Sequence, residues 1–171
     1  AAFDFDFDGV EEYIYRGKNI TAIVDSKGGA LAELDYLVTS WNYLDTFTAH
    51  EDEAEESAYS TAFSAGKQNS FVDIFFETDF DLRKYNKYKS SGMYSMDGVQ
   101  YNVRKLDRTE RTMQYSINVA LPFIQDGSLT LEKNYSFRTN SIEVNYSIRN
   151  NSKKRMKFMF ASEQNVSFAY E

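Results

Sequence analysis

The sequence contains no cysteine, one proline and one histidine. Without cysteine, a disulfide framework, a thiolate metal site and a cysteine nucleophile are all excluded. Because His50 is the single histidine, a histidine-rich zinc site is not expected, and neither is a conventional Ser-His-Asp triad. A chain without cysteine also suits a reducing compartment, so we expect a cytoplasmic location.

Positive charge and long apolar runs are also in short supply. The chain has 19 Lys and Arg against 26 Asp and Glu, a formal net charge of −7 at pH 7. Phosphate backbones are held by an excess of Lys and Arg, so a nucleic-acid partner is not expected. No apolar run approaches the roughly 18 residues of a membrane-spanning helix, so we also expect no membrane segment.

Aromatic residues are plentiful, with 14 Phe and 13 Tyr among 171 residues. This length is enough for one domain with a sizeable core, here aromatic rather than aliphatic, and we expect residues 1–171 to form a single domain. The 8 glycines mark no linker. The chain begins with two alanines rather than methionine, so we expect it to be a piece of a longer protein.

Alternation of apolar and polar residues is the main structural signal. It predicts strands at residues 12–15, 20–24, 70–77, 100–105 and 112–120. Three further runs start at Leu129, Ile142 and Met156 and are separated by short polar turns, which predicts an antiparallel meander. The fold class expected from these runs is all-β, an antiparallel β-sandwich.

Two segments depart from this pattern. Between residues 30 and 44 the apolar side chains fall at helical spacing, and helix and strand are both open there. Residues 50–65 are acidic and then rich in Ala and Ser, which fits either a helix or a mobile loop. The Gly28-Gly29 pair lacks phosphate-loop spacing and predicts a turn or a close backbone approach.

The N-terminal stretch DFDFDGVEE carries the most specific local pattern. Calcium takes six to eight oxygen ligands, and alternate acidic residues on a tight loop can converge on one ion. The spacing resembles a short calcium loop between β-strands rather than an EF-hand, whose twelfth position here is a tyrosine. Its candidate Ca²⁺ ligands are Asp4, Asp6, Asp8, the Val10 carbonyl and Glu12.

The alternative for this stretch is an ordinary strand. In that case Phe3, Phe5 and Phe7 would be buried on one face, and the aspartates would be exposed to solvent on the other. The two alternatives differ in whether the three carboxylates share a cation or repel one another.

Trp41 and Tyr43 are candidates for stacking on a sugar ring, because aromatic side chains suit the apolar faces of sugars. Core packing is the competing interpretation in a chain so rich in aromatics. His50 lies in an acidic run that continues to Glu56, which is more typical of a solvated loop than of a metal site.

Several segments together resemble a known domain. They are DFDFDGVEE at residues 4–12, GGALAELD at 28–35, WNYLDT at 41–46, SFVDIF at 70–75, LEKNY at 131–135, IRN at 148–150 and EQN at 163–165. In this order they are similar to the C-terminal β-sandwich domain of glycoside hydrolase family 57, the α-amylase and 4-α-glucanotransferase group. The similarity runs through nearly the whole chain.

The resemblance implies a fold like the galactose-mutarotase supersandwich, continuing beyond residue 171. It also implies a separate N-terminal catalytic barrel that performs a retaining reaction on α-glucan, so no catalytic residue is assigned to this chain. The chain departs from the family at residues 48–53 and at Ile74, where histidine is common.

The function expected is therefore a non-catalytic accessory domain of an α-glucan-acting enzyme, inactive alone. Its partners would be its own catalytic domain and α-glucan or maltooligosaccharide, contacted through Trp41 and Tyr43. The alternative is a free-standing carbohydrate-binding or structural β-sandwich. A mutarotase-like sugar enzyme ranks last, because proton transfer on a sugar needs a positioned acid and base.

Overall fold

A computed structural model describes residues 2–4, 7, 9–44, 69–85 and 91–168. Within these ranges the regular elements are twelve β-strands and one short 3-10 turn, Leu82–Lys84. The strands are β1 (Ala2–Phe3), β2 (Glu12–Arg16), β3 (Ile20–Asp25), β4 (Ala30–Tyr36), β5 (Trp41–Asn42), β6 (Val72–Phe76), β7 (Met93–Ser95), β8 (Asn102–Asp107), β9 (Thr112–Val119), β10 (Leu129–Phe137), β11 (Ile142–Asn150) and β12 (Met159–Glu163). The prediction of an all-β fold is confirmed.

The strands form three antiparallel sheets. The five-stranded sheet runs β1-β2-β3-β4-β5, the four-stranded sheet runs β11-β10-β9-β8, and the three-stranded sheet runs β12-β6-β7. Neighbours along the chain pair in the first two sheets, as short polar turns between alternating runs predict.

The core is largely aromatic and lies between the four-stranded sheet on one side and the five- and three-stranded sheets on the other, which are joined by a backbone bridge between Leu31 and Ser70. Tyr15 of β2 stacks on Phe137 of β10, with ring centroids 4.7 Å apart. Tyr115 of β9 donates its hydroxyl to the carbonyl of Val24 on β3 at 3.5 Å. Tyr146 of β11 packs on Phe160 of the three-stranded sheet, with ring centroids 5.3 Å apart. The two layers therefore form the predicted sandwich.

The predicted strands of residues 12–15, 20–24, 70–77, 100–105 and 112–120 correspond to β2, β3, β6, β8 and β9. The predicted meander is wrong in its third strand. After β11 the chain crosses to the other layer, where β12 pairs with β6 instead of β11. Phe158 and Phe160 cause this crossing, since both rings pack on the fully buried Phe75.

The ambiguous segment of residues 30–44 forms two strands, β4 and β5, and not a helix. Between Ile23 and Val24 of β3 the pairing register shifts by one residue, which leaves Ala32 as an extra residue in β4 and forms a bulge there. Because the bulge changes the alternation by one residue, Leu31 and Leu34 both face the core although they are three apart. The bulge thus produces a spacing that imitates a helix.

Two further predictions concern residues 50–65 and membrane-spanning segments. The acidic and Ala/Ser-rich segment of residues 50–65 lies outside the described residues. In the described ranges there is no helix that could cross a membrane.

Candidate functional site

A groove opens at one end of the sandwich, where the five-stranded sheet meets the turn between β10 and β11. Its volume is about 450 Å³. The floor and walls are formed by Ile20, Leu34, Tyr36, Tyr43, Asn140, Ser141 and Ile142. These residues are apolar, aromatic or neutral and polar, so the groove suits an uncharged ligand with both apolar and hydroxylated surface.

Two hairpin turns fix the rim of the groove. In the β10–β11 turn, the backbone N–H of Arg138 donates to the carbonyl of Ser141 at 2.9 Å. From the β2–β3 turn, the Asn19 amide Nδ2 donates to Asn140 Oδ1 at 2.5 Å. The side-chain oxygen of Asn140 is thereby engaged, and its amide nitrogen keeps two donors for another group.

The two tyrosines reach the groove from the edge of the five-stranded sheet. Tyr36 ends β4 and pairs in register with Ile20 of β3. Tyr43 follows β5, and its backbone N–H donates to the carbonyl of Leu34 at 2.8 Å. Among the described residues, neither tyrosine hydroxyl has a hydrogen-bond partner, so both can bond to a ligand.

The two residues predicted to stack on sugar are placed differently. Tyr43 lines the groove, whereas Trp41 is not among the lining residues. Trp41 pairs with Tyr36 across β4 and β5, and its indole Nε1 donates to the carbonyl of Ser167 at 3.3 Å. Sugar contact by either residue stays a prediction. Asn140 and Tyr36 were missed because only the fold brings them beside Tyr43.

The N-terminal loop is described in part. The backbone N–H of Gly9 donates to Asp4 Oδ2 at 3.0 Å, which closes a turn around the Asp4 carboxylate. Glu12 is buried at the start of β2 and pairs with Phe3, the residue before Asp4, and Val10 is half-buried. Asp6 and Asp8 lie outside the described residues, within which no group of acidic side chains is arranged to hold a metal. The calcium site stays a prediction.

The alternative of a simple strand at this terminus is wrong for Phe7. Strand β1 covers only Ala2–Phe3, and Phe7 is 90% exposed with a φ of 63°. Phe7 is therefore not in an extended conformation, and its side chain is exposed to solvent rather than buried. Phe5 lies outside the described residues, as do His50 and the 48–53 departure from the family.

A buried ion pair lies in the core, between β6 and β10. Lys133 Nζ is 2.9 Å from Asp73 Oδ2, and both side chains are fully buried. Tyr101 donates its hydroxyl to the same Asp73 oxygen at 2.7 Å. The ammonium also donates to the carbonyls of Gly28 and Phe71, the first at 3.3 Å. This cluster joins all three sheets through charge-assisted hydrogen bonds.

Burial acts on both members of the pair. It raises the pKa of Asp73, while Lys133 and the hydroxyls of Tyr101 and Tyr146 act to lower it. Burial also lowers the pKa of Lys133, against the opposing effect of Asp73. Desolvation is the largest cause of each pKa shift, so burying the two charges costs free energy. The hydrogen bonds and ion pair that the two side chains form offset this cost.

This cluster was also missed from the sequence, although its signal was visible. Lys133 occupies an inward position of β10, between Leu131 and Tyr135, and Asp73 interrupts the apolar run of β6. A charged residue at a core position requires a partner. The sequence does not indicate which of its 26 acidic residues is the partner of Lys133.

The fold is similar to the crystal structure of 4-alpha-glucanotransferase from Thermococcus litoralis, with a TM-score of 0.74 and 18% identity over 97% of this chain and 26% of that one. It is also similar to a galactose mutarotase-like protein from Lactobacillus casei, with a TM-score of 0.52 and 14% identity over 84% of this chain and 45% of that one.

At these identities the two structures establish the fold alone, a β-sandwich of the galactose mutarotase-like kind. The chain spans about a quarter of the length of the glucanotransferase. No curated protein sequence matches it. A family model described as "Alpha-amylase/4-alpha-glucanotransferase, C-terminal" matches residues 48–170. Because this match covers most of the sequence, the chain belongs to the family of alpha-amylase/4-alpha-glucanotransferase C-terminal domains.

Proposed function

We propose that the chain is a non-catalytic accessory domain of an enzyme that acts on α-glucan. The observation that carries this proposal is the family match over residues 48–170, which is to a C-terminal domain. The fold likeness to a 4-alpha-glucanotransferase supports it, since this chain corresponds to 26% of that protein. In this role the sandwich stabilises a separate catalytic domain and shapes the cleft beside it.

The buried ion pair supports a structural role for the charged residues in the core. Asp73 and Lys133 have no exposed surface, so neither can touch a glucan as an acid, base or nucleophile. Their contacts are to Tyr101 and to backbone carbonyls on other strands. We therefore assign these residues to holding the sheets together, and the reaction to a domain outside residues 1–171.

The molecular mass of the native gene product tests the accessory role. A domain that supports a catalytic domain is expected in a polypeptide several times heavier than 19.8 kDa. A native product of about that mass would contradict the proposal and favour a free-standing carbohydrate-binding or structural module.

We also propose that the N-terminal loop binds calcium through Asp4, Asp6, Asp8, the Val10 carbonyl and Glu12. The turn closed by Gly9 N–H and Asp4 Oδ2 supports this, as does the backbone pairing that brings the start of β2 beside β1. Carboxylate and carbonyl oxygens are the ligands that calcium prefers. Bound calcium would fasten the first strand pair of the five-stranded sheet.

Calcium is expected to raise the melting temperature of the chain. A ligand that binds only the folded state stabilises it by about 2.7 kcal/mol at a hundredfold excess over its Kd. Asp6→Ala should abolish the rise, whereas Asp79→Ala, an exposed aspartate in the turn after β6, should preserve it. Melting temperatures measured in calcium and in chelator that coincide for the unaltered chain would contradict a tight calcium site.

A further inference from the structure

The groove between the five-stranded sheet and the β10–β11 turn has the features of a ligand site. Its volume of about 450 Å³ lies within the range of about 300–1,000 Å³ that is usual for small-molecule sites. Asn140 and Ser141 at the rim are exposed, so an extended ligand can enter from solvent.

The electrostatics of the groove favour a neutral ligand. None of the seven lining residues that the structure describes carries a charge, and the chain has a formal net charge of −7. A phosphorylated or carboxylate ligand would lack a cationic partner among these lining residues, and the overall charge would repel it. A cationic ligand would lack a carboxylate among the described lining residues. This part of the lining therefore favours an uncharged occupant.

The arrangement of apolar and polar atoms favours a sugar. Ile20, Leu34 and Ile142 supply apolar surface to the groove, and Tyr36 and Tyr43 supply aromatic surface. A pyranose ring has a face of C–H groups that packs on such surfaces and a rim of hydroxyls that needs donors and acceptors. The two tyrosine hydroxyls and the amide nitrogen of Asn140 accept or donate no hydrogen bond within the described part of the chain, so they can bond to that rim.

Asn140 supplies a hydrogen-bond donor of fixed orientation at the rim of the groove. Its Oδ1 accepts from Asn19 Nδ2 at 2.5 Å, which fixes the orientation of the amide. With the oxygen engaged, the Nδ2 group can donate to a sugar hydroxyl without losing an existing bond. The tyrosine backbone is fixed as well, since Tyr43 N–H donates to Leu34 at 2.8 Å. A preorganised rim of this kind lowers the entropic cost of binding.

We infer that this groove binds a short stretch of α-glucan, with sugar rings against Tyr36 and Tyr43 and a sugar hydroxyl on the Asn140 amide. The choice of α-glucan over other neutral sugars rests on the proposed function, whereas the choice of a sugar rests on the groove itself. The site would hold a glucan chain beside the catalytic domain and raise the local concentration of substrate.

Maltoheptaose titrated into the isotopically labelled chain is the first test. Backbone amide signals of Ile20, Tyr36, Asn140 and Ser141 are expected to shift with increasing sugar. Signals from β7, which lies in the three-stranded sheet, should not move. If none of the groove signals shifts with maltoheptaose, the inference is overturned.

Matched substitutions assign the binding to the groove. Tyr43→Ala should weaken maltoheptaose binding about tenfold or more, because a ring contact is lost. Asn140→Ala should weaken it about threefold to tenfold, the equivalent of one hydrogen bond. Asn145→Ala, on the exposed face of β11, and Tyr94→Phe, on β7, are controls and should bind as the unaltered chain does. Equal affinities for all four variants would overturn the assignment to the groove.

A second sugar separates this inference from the proposed function. Cellohexaose presents the same glucose units in a β-linked chain and is expected to bind much more weakly. If cellohexaose binds at the groove as tightly as maltoheptaose, the α-glucan assignment fails although the groove binds sugar. If neither sugar binds, the groove inference fails alone, and the native mass of the gene product still decides the accessory role.

Discussion

Lys133→Met is expected to destabilise the protein by about 3–5 kcal/mol, because it leaves the charged Asp73 carboxylate in the core without its cationic partner. That is a large part of the roughly 5–15 kcal/mol by which domains of this kind are stable. Urea denaturation of the purified chain measures the loss. The matched control is Lys105→Met, whose side chain is 66% exposed and lies 3.4 Å from Asp107. A surface pair of this kind contributes about 0–1 kcal/mol.

The double variant Asp73→Asn with Lys133→Met shows whether Lys133→Met destabilises the protein by removing the ion pair or by removing side-chain volume. Asparagine removes the orphaned charge but keeps an oxygen that can accept from the Tyr101 hydroxyl. The double variant should therefore be more stable than Lys133→Met alone. If the two single losses simply add in the double variant, the ion pair is not the unit that stabilises this part of the core.

The same variant has a predictable pH dependence. Removing Lys133 removes a group that lowers the pKa of Asp73 and leaves burial, which raises it. A carboxyl whose pKa is higher in the folded state stabilises the fold below its unfolded pKa of about 3.9. That contribution is lost as pH rises through the folded pKa. The free energy of unfolding of Lys133→Met should therefore be closest to that of the unaltered chain near pH 4, and the difference between the two should grow toward pH 7. A difference that is constant with pH would contradict this account.

Gly29→Ala is the second substitution expected to have a large effect. Gly29 has a φ of 53°, and an added Cβ would lie 3.3 Å from Cγ and Cδ1 of the Tyr101 ring. Tyr101 cannot yield freely, since its hydroxyl is held by Asp73 at 2.7 Å. Backbone strain and overpacking together should cost about 2–4 kcal/mol.

Gly98→Ala separates the two causes. Gly98 has a φ of 71°, but nothing lies within 4 Å of the Cβ position. This control should therefore lose only the backbone term, about 1–2 kcal/mol. The unfolding free energy of each variant, measured in urea, gives the comparison. Equal losses at the two glycines would show that the close approach to Tyr101 does not matter.

Much of the fold could be predicted because its strands have one buried face. In β10 the alternation of Leu129, Leu131, Tyr135 and Phe137 with polar residues gives both the strand and its inward side. The predicted turn or close approach at Gly28-Gly29 is confirmed, since both glycines have positive φ and Gly29 lies against Tyr101. Local spacing was sufficient in these places.

The prediction failed where distant contacts override local spacing. The bulge in β4 brings Leu31 and Leu34 to one face, which no single-strand pattern indicates. Strand β12 pairs with β6 and not with the preceding strand β11. Local spacing cannot indicate this pairing, because β6 lies more than 80 residues earlier in the chain. The groove depends on the same kind of information, since Tyr43 and Asn140 meet only after the two layers pack.

The central claim is that this chain is an accessory domain of a larger α-glucan-acting enzyme. The most direct test is an immunoblot of extract from the source cells, with an antibody raised against residues 91–168 and the purified 171-residue chain as a size standard. The account predicts a band several times heavier than 19.8 kDa, and the material isolated with that antibody should convert maltoheptaose. A single band at about 19.8 kDa without such activity would contradict the claim.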